Sequence, residues 1–419
     1  MVYMFTRGVI VCNDIDVIPS ILTNKTNFPK TKFFHDAFKE IGGARIFGNW
    51  GLLNDPGTNL WAAKRRAMDP AFHRNFLKVT MDGMNRVTDD LVDQFESLIN
   101  GPSVDICSIF DRSAAETVSL CGFGWEWEKV KRYSDDVAEL AIAVTSTLTT
   151  KMREFYTFDL PWNRKEIKEN LHDRVNKVRG LMREHIASQS EQEKEDILSH
   201  IIRGNQVSDD LTIEDMIDDY VVFMMAGAET TAICMAMTLH FLTLNPDVMA
   251  KARKELDELF GDKKRLSYSD VSKLTYLDMI VRESLRLHPP ARATSRHCAK
   301  DTTIAGLLIP EGAEFQIIQA ELQIDPRYWE DPLKFIPERF ATGSNNKIKP
   351  FTFMPFMVGP RNCIGKNFAM LEIKVVLARL IHEFDFENGR SGDEQLVLEG
   401  MITTRPVGGV KISVRERRG

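Results

Sequence analysis

Apolar positions recur every three to four residues through much of the first half of the chain, which is the period of an amphipathic helix. This spacing predicts helices over residues 60–66, 76–100 and 171–188. A polar stretch without a clear period, residues 188–196, predicts a surface linker. The first apolar run is short and rich in β-branched residues, and it predicts a strand over residues 8–12.

The strongest helix is predicted over residues 212–244, and we call it the core helix. Thr212 and Asp215 resemble a capping box at its start, and Asn245-Pro246 prevents its continuation. Its middle is apolar almost all round, as expected for a helix buried in a protein core. A membrane span is the alternative, but Glu229 at the centre disfavours it.

Helices and short strands alternate in the last third of the chain. The pattern predicts helices over residues 270–288 and 367–384, and strands over 302–310 and 314–319 joined by a turn at Pro310-Glu311-Gly312. A C-terminal strand pair is predicted over residues 395–401 and 410–414. Because strands and helices are intermingled, we expect a mainly α fold with a small β part (α+β), in one large domain over residues 1–419.

Composition excludes several classes of protein. The 419 residues are 43% hydrophobic and 27% charged, as in soluble globular proteins, and the net charge of −6 gives no support to a nucleic-acid partner. The six scattered cysteines include no C-x-x-C pair, which disfavours a disulfide framework or a structural zinc site. No uncharged apolar run reaches 18 residues, so no transmembrane helix is expected. The opening stretch is interrupted by Arg7, Asp14 and Asp16, so it does not fit a signal peptide. An opening strand with nothing before it predicts that the chain is truncated at its N-terminus.

One cysteine stands in unusual surroundings. Cys363 lies in the stretch Phe356-Met-Val-Gly359-Pro-Arg361-Asn-Cys363-Ile-Gly365, directly before a predicted helix. A thiolate at that place is stabilised by the helix dipole and by free N–H groups, and the glycines allow a flat ligand to approach closely. A buried structural cysteine is the alternative, but the pattern F-x-x-G-x-R-x-C-x-G is too specific to favour it.

This stretch resembles the cysteine-ligand loop of the cytochrome P450 family, and two more motifs follow in the family's order. Glu283-Ser-Leu-Arg286 resembles its E-x-x-R helix, and Pro337-Glu338-Arg339-Phe340 resembles the segment whose arginine completes an ion network. Alone, Glu283 and Arg286 are an i,i+3 pair of a kind common on exposed helices. Together with Arg339, the resemblance implies a buried structural triad.

The resemblance also implies a role for Ala226-Gly227-Ala228-Glu229-Thr230-Thr231 in the core helix. In the family, an acid–alcohol pair at this place faces the distal side of the haem, and small residues leave room for dioxygen. Glu229 and Thr230 are therefore implied to be catalytic, the hydroxyl as a hydrogen-bond donor and the carboxylate as part of the proton-delivery path. The alternative is a threonine bonded to its own helix and a glutamate at the helix surface.

The implied cofactor is heme b (iron protoporphyrin IX) between the core helix and the cysteine loop, with the thiolate of Cys363 as the axial ligand of iron. A thiolate ligand favours O–O cleavage. Phe356 belongs to the implied cofactor-binding set. Trp61-x-x-x-Arg65 resembles the helix whose Trp and Arg meet a haem propionate, and Arg296 and Arg361 match further propionate-binding positions. For any one arginine alone, a solvated surface charge is the alternative.

The implied activity is that of a haem-thiolate monooxygenase, which inserts one oxygen atom of O2 into a C–H bond with two electrons from NADPH-cytochrome P450 reductase. Several segments, among them residues 365–376, resemble in amino-acid sequence the corresponding segments of the cholesterol 24-hydroxylase branch. This resemblance favours a sterol such as cholesterol as the substrate. Fatty acids and xenobiotics are the alternative lipophilic substrates. A haem-binding protein without turnover and a rearranging relative that needs no reductase are the rival classes, and the intact pair Glu229–Thr230 argues against both.

The resemblance further implies a membrane-attached full-length protein at the cytosolic face of the endoplasmic reticulum. A basic face for an acidic redox partner is expected from Lys64, Arg66, Lys366 and Lys374. The substrate pocket is expected to be mostly apolar. Its expected lining is Phe47, Trp50, Leu52, Leu53, Phe155, Phe158, Leu160, Met224, Met225, Ala291, Ala293, Met401 and Ile402.

Overall fold

The computed structural model describes residues 2–4, 7–31, 62, 65–66, 68–156, 163–188, 199, 213–343, 348–389, 396–400 and 403–417. Trp61, residues 189–196 of the predicted linker and the proposed cap at Thr212 lie outside these residues. The α-helices of the described part are α1 (Ile18–Leu22), α2 (Arg74–Val79), α3 (Met81–Glu96), α4 (Ile106–Thr117), α5 (Trp127–Tyr156), α6 (Asn163–Ser188), α7 (Ile213–Leu244), α8 (Pro246–Phe260), α9 (Tyr268–Val271), α10 (Thr275–Leu287), α11 (Gln319–Leu322) and α12 (Lys366–Glu383).

The strands of the described part are short and form small sheets. They are β1 (Val2–Met4), β2 (Arg7–Val11), β3 (Val104–Asp105), β4 (Thr294–His297), β5 (Thr302–Ile304), β6 (Leu307–Ile309), β7 (Glu314–Ile317), β8 (Phe384–Asn388), β9 (Leu398–Glu399), β10 (Arg405–Pro406) and β11 (Lys411–Glu416). The main sheet has the order β1-β2-β7-β4, in which only β2 and β7 are parallel. A second sheet has the order β3-β11-β8.

The predicted strand pairing is wrong in two places. Residues 302–310 form a hairpin of β5 and β6 rather than one strand, because Ala305 and Gly306 turn the chain with φ of 49° and 78°. The next strand, β7, pairs instead with β2 and β4. At the C-terminus, β9 pairs with β10, whereas β11 pairs with β3 and β8.

Two predicted helices are each divided in the structure. Residues 76–100 contain a break at Thr80, between α2 and α3. Residues 270–288 contain a break between α9 and α10, where Ser267 and Asp270 form a capping box for α9. The apolar stripe continues across both breaks, so periodicity alone does not reveal them.

The core helix α7 is surrounded by other helices over most of its length. Its described side chains from Tyr220 to Leu242 are mostly buried, and it packs on α4, α5, α10 and α12. Asp219–Leu244 is long and apolar enough to cross a membrane by length and composition alone. Since 72% of its most apolar window is buried inside the protein, this is weak evidence for a span.

Buried apolar side chains form two clusters. The larger one joins the helices, with Phe95, Tyr220 and Leu277 among its most buried members. The smaller one lies under the main sheet and includes Ile18, Phe315 and Ile317. The loop that carries Cys363 runs between them, since Phe356 and Ile364 pack against the first cluster and Val358 packs against the second.

Candidate functional site

The loop of residues 356–365, here called the cysteine loop, is held in shape by its own backbone. The N–H of Cys363 donates to the carbonyl of Phe356 at 2.9 Å, and the N–H of Asn362 donates to the carbonyl of Gly359 at 3.1 Å. Gly359 adopts a φ of 79°, and a Cβ there would lie 2.5 Å from the carbonyl oxygen of Leu22. Only glycine therefore fits at this contact.

Cys363 is the one cysteine of the six with an exposed side chain. It lies just before the N-terminus of α12, which begins at Lys366. Desolvation by the surrounding protein raises the pKa of this surface-accessible thiol, and the N–H groups of Gly365 and Lys366 together with the charges of Arg65 and Lys366 oppose this. These opposing groups are the ones that stabilise a thiolate, and a bound metal ion would remove the proton outright.

Arg65 supports the cysteine loop directly. Its guanidinium donates to the carbonyl of Asn362 at 2.8 Å and to Oδ1 of the same residue at 3.1 Å, while Nε donates to Asp69 at 2.7 Å. The predicted propionate partner is thus fixed one residue from Cys363. Trp61 and Lys64, which belong to the same predicted helix, lie outside the described residues.

The core helix lies across one aromatic ring from the cysteine loop. Phe72 stacks on Phe223 of α7 with ring centroids 5.8 Å apart, and its ring edge is 4.0 Å from the place of a Cβ on Gly365. In the middle of α7, Ala226 is exposed and Thr230 is half-buried, although the surrounding helix is buried. The accessible strip of the helix therefore combines the small Ala226 and Gly227 and the hydroxyl of Thr230 with the larger Phe223 and Met225.

The two residues of the acid–alcohol pair have different partners. Thr230 Oγ1 donates to the carbonyl of Ala226 at 2.8 Å, within its own helix. Glu229 is only 3% exposed and accepts from Thr403 Oγ1 at 3.0 Å and from Arg405 at 3.4 Å. Arg405 also donates to both oxygens of Asp111, where burial raises the carboxyl pKa against the effect of the arginine. Glu229 therefore belongs to a buried ionic network rather than to the helix surface.

A second group of charges lies beside the cysteine loop. Arg296 is 1% exposed, and its Nη1 donates to Thr294 Oγ1 at 2.9 Å and to the carbonyl of Ser295 at 2.8 Å. Its Nη2 is buried without a hydrogen-bond partner. Burial and the nearby charge of Arg361 lower the pKa of Arg296 to about 10. A buried arginine with a free N–H group is suited to an anionic ligand.

The E-x-x-R residues form a buried ion network. Arg286 donates to both carboxylate oxygens of Glu283 at 2.7 and 2.8 Å, and Arg339 Nε donates to Oε1 at 3.3 Å. The backbone N–H of Ile336 donates to the same carboxylate at 2.9 Å. Glu283 and Arg286 are fully buried, so this network holds α10 against the segment that leads to the cysteine loop.

Comparison with known proteins decides the family. The cytochrome P450 family model matches residues 1–412. Cytochrome P450 4V2 of Rattus norvegicus is 30% identical over 393 residues, which cover 88% of this chain and 74% of that protein. The chain belongs to the cytochrome P450 family. Cytochrome P450 3A9 of the same species is 27% identical over 394 residues, covering 88% of this chain and 77% of the relative.

As a cytochrome P450, the protein is a monooxygenase of mainly α fold that binds heme b through a cysteine thiolate. It uses O2, a lipophilic substrate and a redox partner. The described residues fit this cofactor, because an accessible thiol lies at the N-terminus of α12 and the buried guanidinium of Arg296 has a free N–H for a propionate. Cys363, Arg65, Arg296 and Arg361 are the residues that would hold it in this P450.

Two expectations about side chains in this P450 are wrong. Met224 is fully buried, with its sulfur 3.9 Å from Ser119 Oγ, so it faces the helical core instead of a pocket. Lys374 is only 16% exposed and contacts Asp278 at 3.3 Å, a carboxylate that Arg282 also contacts, so its ammonium is turned toward the protein and not toward a partner. Both side chains lie on the inner faces of their helices. The residue type at one position of a sequence does not show which face of a helix that residue occupies.

The remaining pocket and surface candidates divide into two groups. Met225, Ala291 and Ala293 are partly accessible, and Arg66 and Lys366 are exposed, as expected. The side chains of the other pocket candidates lie outside the described residues, namely Phe47, Trp50, Leu52, Leu53, Phe155, Phe158, Leu160, Met401 and Ile402.

Sequence reasoning missed Arg405, Asp111 and Lys30. Arg405 of β10 pairs with both Glu229 and Asp111 of α4, and Lys30 lies beside Arg296. None of the three belongs to a motif in the sequence. A weak signal existed for Asp111, since an acidic residue on the apolar face of an amphipathic helix needs a partner.

Proposed function

We propose that this P450 hydroxylates a large lipophilic substrate, with a sterol such as cholesterol as the first choice. Cys363 is the residue proposed as iron ligand, and the observation that carries the proposal is its accessible thiol at the N-terminus of α12. The electrons are proposed to come from NADPH-cytochrome P450 reductase, which would dock on the surface that carries the exposed Arg66 and Lys366. The full-length protein is proposed to act at the cytosolic face of the endoplasmic reticulum membrane.

The haem supplies oxygen activation and insertion into the C–H bond, while the chain supplies position and protons. Arg65 and the N–H groups before α12 hold the cysteine loop and favour the thiolate. The hydroxyl of Thr230 is proposed to give up its hydrogen bond to the carbonyl of Ala226 and to hold its proton toward the distal side of the haem. Glu229 is proposed to pass protons from the network with Arg405 and Asp111.

Replacing Cys363 by Ser tests the proposed iron ligand. We expect loss of the thiolate-type carbon monoxide spectrum of the reduced protein and of all oxygenation, because a serine hydroxyl does not provide the thiolate. The matched control is Cys298→Ser, where the hydroxyl keeps the present hydrogen bond from Sγ to the carbonyl of Lys300. A thiolate-type spectrum in Cys363→Ser would refute the ligand assignment.

The substrate class is tested by titration of the ferric protein while the spin state is followed in the visible spectrum. Met225, Ala291 and Ala293 support an apolar site, and each buried CH₂ of a ligand contributes about 0.8 kcal/mol. We therefore expect a low-to-high-spin shift with a sterol. A shift with fatty acids or xenobiotics alone would replace the sterol by those substrates, and a shift only with small polar metabolites would overturn the lipophilic assignment.

A further inference from the structure

Lys30 and Arg296 come from distant parts of the chain and meet at one hydroxyl group. Lys30 Nζ donates to Thr294 Oγ1 at 3.0 Å, and Arg296 Nη1 donates to the same oxygen at 2.9 Å. The backbones are joined as well, because Lys30 and Arg296 form an antiparallel bridge. The ring of His297 interacts with the carbonyl of Lys30 at 2.9 Å, which fixes this segment on β4. The two cations are therefore held side by side by the fold.

This arrangement has too many positive charges for the groups around it. In the part of the chain that the structure describes, the side chains of Lys30 and Arg296 donate to Thr294 Oγ1 and to the carbonyl of Ser295, and neither donates to a carboxylate. Burial, followed by the charges of Arg296 and Arg361, lowers the pKa of Lys30 well below its ordinary value. Arg296 Nη2 is buried and has no acceptor. Like charges at close range repel one another unless an anion lies among them.

We propose that Lys30 is a third cation for the propionates of the haem, beside Arg296 and Arg361. A propionate that accepts from the free Nη2 of Arg296 lies next to the Lys30 ammonium, since both cations contact Thr294. The dianionic edge of the cofactor then neutralises the charges of Lys30 and Arg296, which have no carboxylate partner among the described residues. Lys30 acts as a positioning residue for the cofactor, and this role rests on the proposed ligation at Cys363.

The test measures how fast the holoenzyme loses haem to an excess of apomyoglobin. Lys30→Met removes the charge and keeps the length of the side chain, and we expect haem loss to become faster on the order of tenfold, as for loss of one hydrogen bond to a charged group. Lys30→Arg should stay close to the wild type. The matched control is Lys300→Met, an exposed lysine near the same sheet, which should have no effect.

A second measurement separates this role from a structural one. In the protein reconstituted with iron protoporphyrin IX dimethyl ester, which carries no propionate charge, the wild type and Lys30→Met should lose the cofactor at equal rates. The urea midpoint of the apoprotein should not fall in Lys30→Met, because that change relieves repulsion within the cluster.

Three outcomes would overturn the role of Lys30. These are an unchanged rate of haem loss in Lys30→Met, a difference that persists with the diester, and a lower urea midpoint of the apoprotein. If Lys30→Met keeps both the thiolate-type carbon monoxide spectrum and the wild-type rate of haem loss, only this inference fails. If the wild type itself lacks that spectrum, the proposed function fails.

Discussion

Thr230 and Thr238 make the same hydrogen bond at two places along α7. Thr230 Oγ1 donates to the carbonyl of Ala226 at 2.8 Å, and Thr238 Oγ1 donates to that of Cys234 at 2.7 Å. Thr238 is fully buried, whereas Thr230 is half-buried on the accessible strip. Local bonding is thus common to both residues, and they differ in accessibility, which is what the role proposed for Thr230 requires.

Replacing Thr230 by Ala should leave haem and substrate binding largely intact and divert electrons to hydrogen peroxide. Positioned proton transfer contributes about 10²–10⁴-fold to a rate, so product formation should fall strongly. The measurement is product formed per NADPH consumed, beside the peroxide released. Thr238→Ala removes the same local bond and should keep the wild-type coupling. Equal coupling in both variants would make Thr230 structural.

His288 gives the unfolding free energy a pH dependence. The residue is 2% exposed, both ring nitrogens lack a partner, and burial, with the charges of Arg292 and His240, lowers its pKa to about 4. In the unfolded chain the pKa is about 6.5, so between these values the unfolded state binds more protons. The stabilising contribution is therefore complete above pH about 6.5 and is lost as the pH falls toward about 4.

The change His288→Leu should flatten the dependence of the urea midpoint on pH between about 6.5 and 4. The exposed His73 provides the control, because His73→Leu should leave the slope unchanged. Equal slopes in the wild type and His288→Leu would show that another group titrates in this range.

At the residue scale, the sequence carries a prediction only where the signal is local. A ten-residue motif predicts Cys363 as the iron ligand, and the structure gives it an exposed side chain just before a helix N-terminus. Lys30 could not be found in this way, because its partner Thr294 is 264 positions away. Arg405 was missed for the same reason, since Asp111 is 294 positions away.

At the element scale, the Glu283 network fixes α10 to the turn at Pro337–Phe340. Besides Glu283, Arg286 donates to the carbonyls of Gln323, Pro332 and Lys334 at 2.7–3.1 Å. Its guanidinium also lies 5.0 Å from the centre of the Trp329 ring. One carboxylate and several backbone groups thus satisfy two buried arginines, as a buried ion network requires.

Replacing Glu283 by Gln should lower the free energy of unfolding by about 3–5 kcal/mol, because two arginines remain buried without their anion. Glu338→Gln is the matched control, since Glu338 is 43% exposed and pairs with Lys251 at the surface. A surface pair of this kind contributes about 0–1 kcal/mol. Urea denaturation of both variants measures the difference, and similar losses would mean that the network contributes little.

The sequence predicts long helices better than strand partners. The expected helices over 212–244 and 367–384 agree with α7 and α12 within one residue at each end. The strands were mostly located correctly, but β7 pairs with β2 from the other end of the chain. Helical bonds are local, whereas strand pairing depends on segments brought together by the whole fold.

At the scale of the whole molecule, the cysteine loop joins the helical cluster to the cluster under the main sheet. Phe356 and Ile364 pack on the former, and Gly359 approaches the backbone of Leu22 in the latter. Arg296 reaches the same region from β4. The organisation as one domain stays a prediction. The contact between Gly359 and Leu22 means that the packing of both clusters determines the position of the cysteine loop.

Gly359→Ala should therefore reduce the haem content of the purified protein and speed the loss of haem. The added Cβ would lie 2.5 Å from the carbonyl oxygen of Leu22, so the loop must move away from α1 and take Cys363 with it. Gly343 offers a matched control, because its φ of 81° resembles the 79° of Gly359 and no atom of the described residues lies within 4 Å of an added Cβ. Both variants carry the left-handed penalty of about 1–2 kcal/mol, and only Gly359→Ala adds the clash. Haem absorbance per protein measures the outcome, and equal haem content in the two variants would show that the contact with Leu22 does not position Cys363.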